Sequence, residues 1–160
     1  MPTPTYIPMA NLTLSSSAAS VTFSSISQAY RDLVLVVSGA ISSGGESLRL
    51  RFNGDTGANY SYVYMAGTGT ATESSSSPSN TFIMAFYNDS TSTMMAGSIL
   101  DYSATNKHKS VLFRGDNASA RTMATAGRWA NTAAITSIVV FPQSATWTAG
   151  STFSLYGIAA

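Results

Sequence analysis

The chain has no cysteine, which removes disulfide frameworks, cysteine–zinc sites and thiol nucleophiles together. It is also poor in charge: Asp, Glu, Lys and Arg make up 9% of its 160 residues, against roughly 25% in an ordinary soluble domain. The acidic residues are scattered singly, so the sequence favours no paired-carboxylate chemistry of the kind glycoside hydrolysis needs. His108 is the only histidine, and its neighbours Lys107 and Lys109 mark it as solvent-facing. No G-x-S-x-G elbow accompanies it, so a Ser-His-Asp nucleophile is not expected. The formal net charge is +1 and the only basic cluster is Lys107-His108-Lys109. That is too small to neutralise a phosphate track, so nucleic acid is not an expected partner. No window approaches the ~18 apolar residues of a membrane span. The start, Met1-Pro2-Thr3-Pro4-Thr5-Tyr6-Ile7-Pro8, lacks the basic and apolar regions of a signal peptide. Helical periodicity with capping is missing as well; Gln28-Ala29-Tyr30 offers one helical turn at most.

What is present is Ser, Thr, Asn, Gly and Ala, together with short apolar runs. A surface rich in hydroxyls and amides lacks the charge repulsion that keeps proteins apart, which suits permanent assembly. The strongest run is Leu33-Val34-Leu35-Val36-Val37, between Arg31-Asp32 and Ser38-Gly39. Five consecutive apolar residues, three of them β-branched, read as a strand covered on both faces. Ile135–Phe141 and Phe153–Ile158 have the same character, and these three are the expected central strands of one core. Period-2 alternation marks Asn11–Leu14, Ser20–Ser24, Leu48-Arg49-Leu50-Arg51-Phe52 and Tyr60–Met65 as half-buried strands. Further β-like runs lie at Thr81–Tyr87, Ser98–Tyr102, Ser110–Arg114 and Arg121–Ala126. Residues 67–80, with Ser74-Ser75-Ser76-Ser77, read as a low-complexity loop. About ten strands with turn signals and no crossover helices predict an all-β, antiparallel, jelly-roll-like sandwich. Its expected division is an extended, proline-rich arm over residues 1–10 and one sandwich domain over 11–160.

Few residues carry a chemical reading. Asn53, Asp55 and Asn59, on the Gly-rich stretch Asn53-Gly54-Asp55-Thr56-Gly57-Ala58-Asn59, could offer oxygens to a sugar or a calcium ion. One carboxylate is thin for calcium, and a tight turn with side-chain-to-backbone bonds is the preferred reading. Trp129, following Arg128, reads as core or interface, while Trp147, between Pro142 and Gly150, reads as an exposed contact. The Tyr60-Tyr62-Tyr64 set could line a sugar platform or fill the core. Arg114-Gly115-Asp116 spells an adhesion tripeptide but reads as turn chemistry after a strand. Tyr6, Ile7 and Pro8 give the arm apolar contacts with which to tether to this or another subunit. No cofactor or metal is expected.

Several blocks, taken in order, resemble small structural proteins of tailed bacteriophages that infect aquatic bacteria and cyanobacteria. They are Ser20–Ile26 running into Tyr30–Leu35, Leu50–Tyr62, Ile99–Ser103, Gly127-Arg128-Trp129 before Ala133–Ile138, and Gly150–Ile158. The resemblance implies a β-sandwich virion protein with no enzymatic role and no catalytic residues to transfer. With the low charge, short length and arm, it leads to the expectation of a capsid decoration protein on the particle exterior. Such a protein would be made in the host cytoplasm and would self-associate as a homotrimer on the major capsid protein. The alternative is a tail- or fibre-associated module that recognises host surface carbohydrate.

Overall fold

Alternation governs the strand Leu48–Phe52: Leu48, Leu50 and Phe52 are fully buried. Arg49 and Arg51, between them, point away and lie over the rings of Phe82 and Phe141 at 3.9 and 4.8 Å. The computed structural model describes residues 5–88, 92–117 and 121–159. Among these it contains twelve strands and no helix: β1 (Tyr6–Thr13), β2 (Val21–Phe23), β3 (Asp32–Gly39), β4 (Glu46–Phe52), β5 (Tyr60–Gly67), β6 (Thr72–Asn80), β7 (Ile83–Asn88), β8 (Thr93–Leu100), β9 (Lys109–Asn117), β10 (Thr122–Trp129), β11 (Ile138–Pro142) and β12 (Thr152–Ile158). An eight-stranded sheet has the order β1-β12-β3-β8-β9-β10-β5-β6, and a four-stranded sheet the order β2-β11-β4-β7. Every pairing is antiparallel. The protein is an all-β sandwich of two antiparallel sheets.

The core fills the space between the sheets. Its largest members are Phe52, Tyr60 and Trp129, whose rings lie 5.6 to 6.3 Å apart, and the pair Trp147–Phe153, edge to face at 4.9 Å. Packing is tight between neighbouring strands on the inner face of the large sheet. A Cβ on Gly97 would sit 2.1 Å from a Phe113 ring carbon, so only glycine fits beneath that ring.

Several expectations need correction. β3 is not covered on both faces: Leu33, Leu35 and Val37 are buried, whereas Val34 and Val36 face outward and are half-buried. A two-layer sandwich gives each strand one inner face, whatever its outer residues are. β3 and β12 are neighbours in the large sheet, while β11 lies in the small one. Ile135 is buried but precedes the strand that starts at Ile138. Residues 72–80, read as loop, form β6, because Ser74–Ser77 pair with Tyr62–Met65 and exposed serines need no burial on an edge. Gln28–Tyr30 forms no helical turn. The boundary expected between residues 10 and 11 falls inside β1, whose Tyr6, Ile7 and Pro8 pair with Ile158, Gly157 and Tyr156. Residues 1–4 of the expected arm lie outside the described residues. Arg114-Gly115-Asp116 is not in a turn but within β9.

Both edges of the large sheet carry a proline, Pro8 in β1 and Pro78 in β6, each beside a break in register. Proline cannot donate to a ladder, and this is a known way of blunting a sheet edge.

Candidate functional site

The strand register assigns every outward residue of the large sheet to a row crossing it. One row reads Ser38, Met94, Asp116, Thr122, Gly67, Thr72 across β3, β8, β9, β10, β5 and β6. The next reads Val36, Ala96, Arg114, Ala124, Met65, Ser74, and a third Val34, Ser98, Leu112, Ala126, Val63, Ser76. The hydroxyls of Thr72, Ser74 and Ser76 on β6 border an apolar middle, and β9 supplies the charges Arg114 and Asp116. Met65, Met94, Leu112 and Val63 are 69%, 55%, 56% and 53% exposed. Large apolar side chains clustered at that exposure mark a contact surface, whereas single ones carry no meaning.

Small residues beside large ones give the face its relief. Ala96, Ala124 and Gly67 lie low between Met65 and Met94. The hollow there has a volume of about 890 Å³ and is also lined by Arg114, Asp116 and Thr122. A second, of about 500 Å³, runs on past Val63, Met65, Ser74, Leu112 and Ala126. Tyr6 on β1 and Ala124 on β10, with four strands between them, line one further hollow of about 340 Å³ beside Val34 and Leu112. Neither Arg114 nor Asp116 takes part in an ion pair within the described protomer. Arg121, at the rim, is paired with Glu73 at 2.9 Å. The face can therefore offer apolar contact with one free charge of each sign at its centre. Among the described residues no cluster of His, Cys, Asp or Glu could hold a metal ion.

Of the residues singled out by sequence, only the β1 edge and the Arg114-Gly115-Asp116 stretch reach this face. Asn53 and the Asp55–Asn59 loop are a structural clamp. Asn53, at φ 52°, accepts at Oδ1 from the N–H groups of Thr136 (2.8 Å) and Ser137 (3.1 Å) and donates from Nδ2 to the Ala134 carbonyl at 2.8 Å. Asp55 accepts from Gly57 N–H, Asn59 Nδ2 and Trp129 Nε1 at 2.8, 2.9 and 2.7 Å. Desolvation opposes its ionisation, but these bonds, with one from Asn131, outweigh it and hold the carboxyl below the ordinary range. The Tyr60 hydroxyl donates to the Asp55 carbonyl at 3.2 Å, and burial pushes it up to about 12. The side chains of Asn53, Asp55 and Asn59 are thus engaged within the protein.

Trp147 is not an exposed contact but fully buried. Its backbone exchanges hydrogen bonds with Ala18 (2.8 and 3.0 Å) and bridges to Ile41, which draws the indole in under the sheets. Trp129 is buried in the core; Tyr60 is buried, and Tyr62 and Tyr64 pack against the core. His108 is exposed, but the basic cluster around it dissolves because Lys109 points inward with no exposure. Lys109 Nζ donates to the carbonyls of Ala104, Lys107 and Thr132 at 2.7, 2.9 and 3.1 Å. Burial pulls that amine down from its ordinary value.

No family model matches the sequence, and no curated protein matches it. Solved structures give low-scoring likenesses. A galectin of Caenorhabditis elegans has a TM-score of 0.37 at 7% identity, over 94% of this chain and 96% of that one. An alginate lyase of Aplysia kurodai has 0.34 at 13% identity, over 84% and 72%. An exo-inulinase of Aspergillus awamori has 0.37 at 10% identity, over 96% of this chain and 29% of that one. Scores this low assign neither ligand nor activity to this chain.

Sequence reasoning missed Met65, Met94 and Leu112, and it named Arg114 only as part of a turn. A signal for them existed. Met94-Met95-Ala96 and Leu33–Val37 are apolar in both registers of a strand, and in a two-layer fold the second register faces outward.

Proposed function

We propose that the protein is a non-enzymatic structural component of a bacteriophage particle, carried on its exterior as a decoration protein of the capsid. The observation that carries this reading is the outer face of the large sheet, where Met65, Met94, Leu112 and Val63 stand exposed together. A surface of that kind is costly in water and is relieved by assembly. The scarcity of charge and the resemblance to phage structural proteins support the same reading. In it the protein associates with itself and with the major capsid protein, and binds no nucleic acid. Mass spectrometry of purified particles, with cryo-electron microscopy, tests it. Hundreds of copies on the head are expected; a few copies confined to the tail would overturn it.

A second reading, recognition of host surface carbohydrate from the tail, has one observation in its favour. The hollow of about 890 Å³ combines Arg114, Asp116, Ser74 and Thr122 with apolar walls, which suits a ligand with both hydroxyls and C–H faces. A glycan array with the purified protein tests it, and silence across bacterial polysaccharides would remove it.

A further inference from the structure

We infer that the outer face of the large sheet is self-complementary and that a second copy of this chain docks on it face to face about a two-fold axis. The inference deepens the proposed self-association by naming its surface and symmetry, and it replaces the threefold symmetry expected from sequence with a twofold one.

Charge carries the argument first. Arg114 and Asp116 lie two residues apart on β9, project from the same face and have no ion-pair partner among the described residues. Consider a two-fold axis in the plane of contact, perpendicular to β9 and midway between them. It sets Arg114 of each copy against Asp116 of the other, so one contact is made twice, as an isologous interface requires. Two opposite charges facing each other away from water attract, and like charges there repel.

Size carries it second. The same axis lays the Met94 row of one copy over the Ala96 row of the other. Met94 then meets Ala96, Met65 meets Gly67 and Thr122 meets Ala124. Each long methionine falls on a small residue and fills the hollow that residue leaves. Methionine adapts readily to such gaps. Val63 and Leu112 continue the apolar surface one row further out.

Area is sufficient. Eight strands at ~4.8 Å and about four outward residues per strand at ~6.7 Å give a face on the order of 1,000 Å². A stable interface buries about 800 Å² per partner. Twisted sheets cross at roughly 30° when they pack face to face, so the register is closest at β9 and loosens toward β5, where the flexible Met65 side chain takes up the offset, with the outer strands at the rim.

Charge reversal tests the inference on the full-length protein by analytical ultracentrifugation at micromolar concentration. The wild type is expected to sediment as a dimer. Arg114→Asp and Asp116→Arg are each expected to sediment as monomers with the far-ultraviolet circular dichroism of the folded protein, since both side chains are exposed, and with a melting temperature that no longer rises with protein concentration. An equimolar mixture of the two variants should recover the dimer, because each then faces its opposite sign. The double variant R114D/D116R should recover it alone. A monomeric wild type, a trimer, single variants that remain dimeric, or a mixture that stays monomeric would each overturn the inference. A monomeric wild type that binds polysaccharide would give the face to carbohydrate. None of these outcomes depends on where the protein sits in a particle, so the structural role could survive the loss of this interface.

Discussion

Trp129 donates its Nε1–H to Oδ2 of Asp55 across 2.7 Å, joining the last residue of β10 to a loop 74 positions earlier in the chain. Trp129 is buried, so its N–H has no recourse to bulk water. Asp55→Ala leaves that donor unpaired and frees Asn59 and the Gly57 N–H as well. A buried donor left unmade costs about 1–3 kcal/mol, and for a protein of this size each kcal/mol lowers Tm by roughly 2–4 °C. A thermal melt of Asp55→Ala beside Trp129→Phe and the double variant should show strong coupling. Additive losses would mean that the bond contributes nothing.

The same carboxylate sets an acid limit on stability. Its pKa is lower in the folded protein than in the unfolded chain. Its contribution is therefore complete above the ordinary aspartate value of about 3.9 and disappears as pH falls through the depressed folded value. Glu73 and Asp101 are also held low, by Arg121 and Lys107 respectively, but both carboxylates are open to solvent, which keeps the weight of each pair small. Melting followed from neutral pH downward should show a steeper acid loss in the wild type than in Asp55→Asn. Parallel curves would remove Asp55 as the cause.

Lys109 is expected to be structural. Its ammonium satisfies three carbonyls from two separate segments, around residues 104–107 and at Thr132. Lys109→Met keeps the apolar stem and removes all three bonds, at a cost of about 2–4 kcal/mol in denaturant titration. Lys109→Arg should not restore it, because a planar fork does not match three converging acceptors. A wild-type midpoint for Lys109→Met would show the cage to be dispensable.

Leu35 and Val36 are adjacent and should respond oppositely to the same change. Leu35 faces the core with no exposure, and an unpaired carboxylate there costs several kcal/mol, comparable with a total stability of about 5–15 kcal/mol. Leu35→Asp should give no soluble folded protein. Val36 faces outward beside Ala96, so Val36→Asp should fold and melt close to wild type. Loss of folding in both would return Val36 to a covered position.

The contrast between these two residues shows what was legible in the sequence. Strand positions were readable wherever polar and apolar residues alternated, as in Leu48–Phe52, because one face then had to be wet. Leu33–Val37 hid its orientation, since an apolar outer face looks the same in sequence as a second covered face. Ser74–Ser77 carried no β signal of its own and is a strand only because β5 lies beside it. Trp147 was misjudged because its burial depends on bonds to Ala18, 129 positions away in the chain. The meeting of Arg114 with Met65 and Met94 depends on the order β8-β9-β10-β5, a long-range pairing that no local pattern encodes.

The prolines at the two edges of the large sheet have a consequence for growth. A sandwich whose edges accept strands can add copies without end and become a ribbon. Pro8 and Pro78 take donors away from both edges, so propagation along the sheet is disfavoured, while the broad face stays open. Whatever contact this protein makes with its own kind is thereby steered toward a closed unit of fixed size, and a closed unit can be counted out on a surface without seeding a fibre.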